Sequence, residues 1–375
     1  MVVHNPGPRR LSMAWWFAGA YALLVLYASL HPFSQWRLQG IVPWAFLTAP
    51  WPQYWTGFDV LINLAGYAPL GLLLTIALGR SGRGRWVGAS VVLASAFALL
   101  MEMLQTLMVL RVPSQVDWLL NTLGAGIGLL VGLVLLRLNL LQPWTRFRES
   151  ALVRHNGLGL LLMALWPLAM LYPTSVPFGL GQVWGRLELF FHRITQDTFL
   201  AQWQPLSLPE AALSPLGEAM VVALSLWAPM LLAFALLRGV TRRVRVVMGA
   251  APVVALVMSM SAGLTYGPQH VLAWLSPSVS LGMLMAMAMT LLSLKLAHRT
   301  AAILSLLAWA FALGLLNQSP EVAYFAQSLQ NWEQGRFIQF HGLSQWLGWL
   351  WPYAAMAVAL RLALRAEPAS YNRPL

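Results

Sequence analysis

The sequence predicts an all-α, polytopic membrane protein, and three observations predict it. Of 375 residues, 59% are hydrophobic and 9% charged, and the mean hydropathy is +0.67. That leaves too little polar surface for a soluble globule of this size. Apolar runs of bilayer-spanning length recur along the whole chain. Basic residues gather in short clusters between those runs, the pattern in which membrane topology is written. The net charge of +12 is therefore topological and does not point to nucleic acid. Cysteine is absent, which excludes a disulfide framework, a thiolate metal site and a cysteine nucleophile.

The runs predict about ten transmembrane helices, with cores near 11–30, 58–78, 86–110, 117–136, 157–172, 216–237, 246–264, 277–294, 300–316 and 344–361. The first follows Arg9 and Arg10, as a secretory signal would. It is long enough to span, and no small-x-small cleavage site precedes His31, so a retained span is expected. Alternate connections carry Arg80, Arg83 and Arg85; then Arg137, Arg146, Arg148 and Arg154; then Arg238, Arg242, Arg243 and Arg245; then Lys295 and Arg299. The opposite connections hold only Arg37, Arg111, Arg186, Arg193 and Arg336. By the positive-inside bias both termini are expected to be cytoplasmic.

The connections expected outside are long and aromatic. His31 to Gly57 interleaves Phe33, Trp36, Trp44, Phe46, Trp51, Tyr54 and Trp55 with Pro32, Pro43, Pro50 and Pro52, which rules out one continuous helix. Val183, Leu187, Phe190 and Ile194 recur at helical spacing, as do Val322, Phe325, Leu329 and Trp332. Both sets predict amphipathic helices lying in the interface. The connections expected inside are short and show no phosphate-binding loop or nucleotide signature, which argues against an ATP-driven pump.

The polar residues worth attention sit in an internal repeat. Phe58 to Leu74 and Val116 to Gly132 align at Asp59 and Asp117, Leu61 and Leu119, Asn63 and Asn121, Gly66 and Gly124, and Leu72 and Leu130. Each copy opens with a carboxylate, places an amide one helical turn later on the same face, and continues as an apolar run. Asp59 and Asp117 stand where helix N-caps belong, and capping alone would account for either. The intervening helix carries Glu102 and Gln105, followed by Arg111 and Ser114, and topology brings them to the same level. If that helix continues to Arg111, Glu102 lies about 13 Å inside it, within an apolar core about 30 Å thick. An intramembrane carboxylate is a functional candidate, with hydrogen-bonded packing as the alternative. Gly124, Gly128 and Gly132 form a small-residue stripe, and Gly66 and Gly71 flank Pro69, which reads as close helix packing. The alternating Met283, Met285, Met287 and Met289 fall on opposing faces, and the seven histidines show no zinc spacing.

The order aspartate, x3, asparagine, x5, P-L-G (Asp59, Asn63, Pro69, Leu70, Gly71), then M-E-x-x-Q (Met101, Glu102, Gln105) resembles the VanZ-like family. The tail R-x-P-S-x-x-D-x-x-x-N-T-x-G-A-x-x-G adds Arg111, Pro113, Ser114, Asp117, Asn121, Thr122, Gly124, Ala125 and Gly128, and H-P-F at His31 to Phe33 also fits the family's style. The likeness covers roughly the first 150 residues. It implies a VanZ-like four-helix transmembrane region over 1–150 and a C-terminal transmembrane extension of about six helices over 151–375. It also implies a link to resistance against teicoplanin, a glycopeptide with a fatty acyl tail, and a place in the bacterial cytoplasmic membrane.

Three functional expectations follow. The first is recognition of an amphiphilic envelope lipid or lipoglycopeptide at the outer leaflet, with Asp59, Asn63, Glu102, Gln105, Arg111, Ser114, Asp117 and Asn121 as ligand-binding residues. The second is an enzyme acting on a lipid-linked or phosphate-bearing envelope substrate. There Glu102, Asp117 and Asp59 would be catalytic, holding a divalent cation or exchanging protons, and Arg111 would pair with phosphate. The third is a lipid or small-molecule transporter. The expected partners are membrane lipids and a lipid-linked precursor or lipoglycopeptide, and the sequence names no cofactor.

Overall fold

The computed structural model describes residues 13–31, 33–51, 57–81, 86–152, 157–196, 198, 212–319 and 338–364. Among them the chain is all-helical: α1 (Met13–Leu30), α2 (Gly57–Arg80), α3 (Ala89–Gln105), α4 (Gln115–Arg137), α5 (Gln142–Ala151), α6 (Gly157–Ala169), α7 (Trp184–Thr195), α8 (Pro215–Leu236), α9 (Val240–Tyr266), α10 (Pro277–Leu292), α11 (His298–Asn317) and α12 (Ile338–Ala363). Each of the ten apolar runs is a helix, and seven helices are long and apolar enough to cross a membrane. At 17 and 13 residues, α3 and α6 reach only about 26 and 20 Å, short of the apolar thickness. The 26-residue α12 is long enough but carries Trp346, Trp349, Trp351 and Gln345, which dilute its apolarity. The chain divides into two compact units, Met1–Phe147 and Arg148–Leu375.

In the first unit, α2 and α4 run parallel and touch through backbone. A Cβ added at Gly124 would fall on the Leu64 carbonyl oxygen, at Gly128 on that of Ala68, and at Gly71 on that of Ala125. At Gly132 it would lie 2.6 Å from the Thr75 methyl. These four glycines therefore let two backbones meet, as the stripe predicts. Gly66 is different: nothing lies within 4 Å of its would-be Cβ, and its carbonyl accepts from the Tyr21 hydroxyl at 3.0 Å. Mid-length, Ser95 and Thr122 hydroxyls bond at 2.8 Å and join α3 to α4, while Thr75 Oγ1 donates to Ser90 Oγ (2.9 Å) between α2 and α3.

The second unit is built round α8, whose residues from Ala219 to Leu236 are almost all buried, as expected of a helix apolar on every side. At its C-terminal end sits Arg243, 4% exposed. Its Nη1 donates to the Leu294 and Leu296 carbonyls (2.8 and 2.7 Å) and its Nη2 to that of Phe234 (2.8 Å). One guanidinium thus satisfies carbonyls at the end of α8 and just past α10, which those helices leave open.

The amphipathic helix expected around Val183 to Ile194 is present as α7. Leu187, Phe190 and Ile194 are exposed, and none of its residues is buried. Its first amides are met from another helix: Asn317 Oδ1 accepts from the Val183 and Trp184 N–H groups, both at 3.0 Å. The second such helix, at Val322 to Trp332, lies outside the described residues. The sequence reading did not anticipate α5, a short helix with too few apolar residues to register as a span.

Candidate functional site

The predicted polar residues come together at one end of the first unit, where α1 and α3 finish and α2 and α4 begin. Each arrives there for a separate local reason.

α3 stops at Gln105, six residues earlier than a helix running to Arg111. Thr106 Oγ1 turns back to the Met103 carbonyl (2.7 Å), and the following chain pairs with the loop after α1. Arg37 N–H donates to Leu107 O at 2.8 Å, and the Gln39 amide donates to Thr106 O at 3.0 Å. Glu102 therefore lies in the last turn of α3, not about 13 Å inside a continuous helix. Its 4% exposure comes from protein packed around it. Its Oε2 accepts the Ser114 N–H at 2.9 Å, which fixes the turn leading into α4.

The aspartates are not the caps. Ser114 is the N-cap of α4, its hydroxyl accepting the Val116 N–H at 3.1 Å, and Asp117 falls two residues into the helix. Asp59 holds the equivalent place in α2. In a first turn a carboxylate still answers the positive end of the helix dipole. Asp117 does more: its Oδ1 accepts from Asn63 Nδ2 at 2.8 Å, a bond that crosses from α4 to α2. Asp59 is exposed and within electrostatic reach of Asp117, and Asp117 and Arg111 are within reach of Glu102.

Two of the candidate ligand residues hydrogen-bond within the fold. Gln105 Nε2 donates to the Ser29 carbonyl (3.1 Å), and Arg111 Nη2 donates to the carbonyls of His31 (2.9 Å) and Ala28 (3.4 Å). Both side chains satisfy the carbonyls that α1 leaves open where it ends. Nothing in the sequence says where α1 ends in space, so this employment was not legible. His31 itself stacks on Tyr27 with ring centroids 5.2 Å apart. Partial burial, and then the neighbouring Arg111 charge, push its pKa down.

Asn121, one turn past Asp117, is 5% exposed, and its Oδ1 has no hydrogen-bond partner. Tyr67, absent from the predicted set, belongs to the same layer. It is 4% exposed, and its hydroxyl has Ser29 beside it but no hydrogen bond of good geometry; Glu102 is within electrostatic reach. Its position one turn after Asn63 was the available signal.

Over this end folds the loop 33–51, with one 3-10 turn at Ala45–Thr48. Phe46 is buried, and Gln115 Nε2 donates to the Ala49 carbonyl at 2.7 Å. Trp36, Trp44 and Trp51 face outward at 45, 59 and 63% exposure. Among the described residues no three His, Asp or Glu side chains gather at metal-binding spacing.

Residues 11–137 match the VanZ/LLP1 family model. The matched segment contains every residue of the constellation and stops at the end of α4. No curated protein and no solved structure matches the chain. Together the match and the seven spanning-length helices describe a multi-pass membrane protein with a VanZ-like N-terminal region.

Proposed function

We propose that this protein is a cell-envelope protein of the bacterial cytoplasmic membrane whose VanZ-like region recognises the polar head of an amphiphile, an envelope lipid or a lipoglycopeptide, at the outer leaflet. The observation that supports this reading is the juxtaposition at one end of α1–α4 of Asp59, the Asn63–Asp117 pair, Glu102 and the unpartnered Asn121 side-chain oxygen, with a loop presenting Trp36, Trp44 and Trp51 folded over the same end. Polar groups would read the head, and interfacial aromatics would hold the region where head and tail meet. Arg80 and Arg137 close the far ends of α2 and α4, which is the cytoplasmic side in this orientation.

The test is direct binding of a fluorescent lipoglycopeptide and of tail-labelled envelope lipids to the purified protein in nanodiscs. Asp117→Asn is expected to weaken binding roughly tenfold, the ratio given by one charge-assisted hydrogen bond of about 1.4 kcal/mol. Affinities indifferent to both Asp117→Asn and Glu102→Gln would remove the proposal's footing.

A further inference from the structure

We propose that the buried layer one turn inside the Asn63–Asp117 pair seats an ammonium group, the amine of the amphiphile's head, with Asn121 as its floor and Asp117 and Glu102 as its charged walls. This deepens the head-recognition reading and rests on it.

The layer is placed by the seam itself. Asn63 meets Asp117, and two turns further in Gly71 meets Ala125 through backbone. Tyr67 and Asn121 each lie midway between those contacts, so they occupy one level of two parallel helices. Asn121 is therefore on the side of α4 that faces α2, buried, with its carbonyl oxygen unmet. A buried acceptor without a donor is destabilising until a donor arrives.

Charge decides which donor. Glu102 is within electrostatic reach of Tyr67, Asp117 and Arg111 are within reach of Glu102, and the exposed Asp59 is within reach of Asp117. The guanidinium and two of the amides of this end already have acceptors: Arg111 holds His31 and Ala28, Gln105 holds Ser29, and Asn63 holds Asp117; the Tyr67 hydroxyl, at the level of Asn121, has no hydrogen-bond partner. The positive ends of α2 and α4 are answered by Asp59 and Asp117 in their first turns. What is left over is the Asn121 oxygen, the Tyr67 hydroxyl and an excess of negative charge. A phosphate would meet carboxylates at close range, whereas an ammonium brings three N–H donors and the compensating charge.

The full-length protein in phosphatidylcholine nanodiscs tests this with three probes: tail-labelled phosphatidylethanolamine, its N-acetyl derivative, and free ethanolamine. The two lipids share phosphate and tails and differ only in the ammonium. Phosphatidylethanolamine is expected to associate at least about tenfold more tightly than the N-acetyl lipid. In Asn121→Leu, which matches volume and removes the acceptor, that preference is expected to collapse, with thermal unfolding confirming the fold. Equal association of the two lipids by the native protein overturns the ammonium assignment and leaves head recognition standing. Association of neither lipid overturns the ammonium assignment, and head recognition then falls only if the lipoglycopeptide fails to bind as well. If free ethanolamine raises the melting temperature as much as the lipid does, the occupant is a soluble amine and the amphiphile part of the inference falls.

Discussion

The backbone contact between α2 and α4 makes a prediction that two single-methyl substitutions can test against each other. At Gly128 an added Cβ would land on the Ala68 carbonyl oxygen and 2.6 Å from the Leu72 nitrogen. An ordinary contact to such atoms is 3.4–4 Å, so the two helices must part by roughly 1 Å. Opening a close-packed seam by that much costs about 1–3 kcal/mol, while alanine in place of glycine returns about 1 kcal/mol of helix propensity. The expected net effect of Gly128→Ala is destabilisation by about 1 kcal/mol, within a range of about 0–2 kcal/mol. At Gly66 the same methyl enters open space, and only the propensity gain of about 0.5–1 kcal/mol remains. The two variants should therefore lie about 2 kcal/mol apart and on opposite sides of the native protein. Reversible unfolding in mixed micelles reads this difference directly. Because the Asn63–Asp117 bond bridges the same two helices, Gly128→Ala should also weaken lipid binding while Gly66→Ala leaves it alone. Equal stability of the two variants would refute the claim that backbone contact, rather than side-chain packing, holds the seam.

Two further outcomes follow from groups that are not part of the proposed seat. His31 is held below its ordinary pKa in the folded state by partial burial and by Arg111, so protons bind the unfolded state more readily and the stability it contributes is present above about pH 6.5 and lost as pH falls. Melting temperature against pH from 5 to 8 should fall more steeply on the acid side for the native protein than for His31→Gln, and parallel profiles would contradict the assignment. In the second unit, Arg243→Met leaves the Phe234, Leu294 and Leu296 carbonyls without their shared donor, and a loss of about 3 kcal/mol in unfolding free energy is expected.

Hydrophobic periodicity located all ten apolar helices, because a run of leucine, valine and alanine leaves little else for a backbone that must satisfy its own hydrogen bonds. It overstated α3, since the apolar run continues to Leu110 while the backbone leaves the helix at Gln105 and pairs with residues 35–37. That pairing partner lies some seventy residues away, out of range of any local pattern. The polar residues were legible as a set because the repeat and its spacing put them at one level. Their employment was not: Gln105 and Arg111 serve the end of α1, and Ser114 rather than an aspartate caps α4. The place of Tyr67 in this layer is not legible from the chain alone, because it depends on Glu102 arriving from another helix. A residue's chemistry can be read from the chain, whereas the partner that consumes it is a property of the fold.

The cap that Asn317 supplies to α7 has a mechanical consequence. A helix that caps its own first turn can float along a membrane surface as an independent paddle. α7 has no such cap of its own: the hydrogen bonds that begin it belong to the last residue of α11, and Tyr353 of α12 donates to the Gly181 carbonyl just before it. Its apolar face is thus carried on a fixed pivot. Lifting or rolling it would pull on the hydrogen bonds to Asn317 of α11 and Tyr353 of α12.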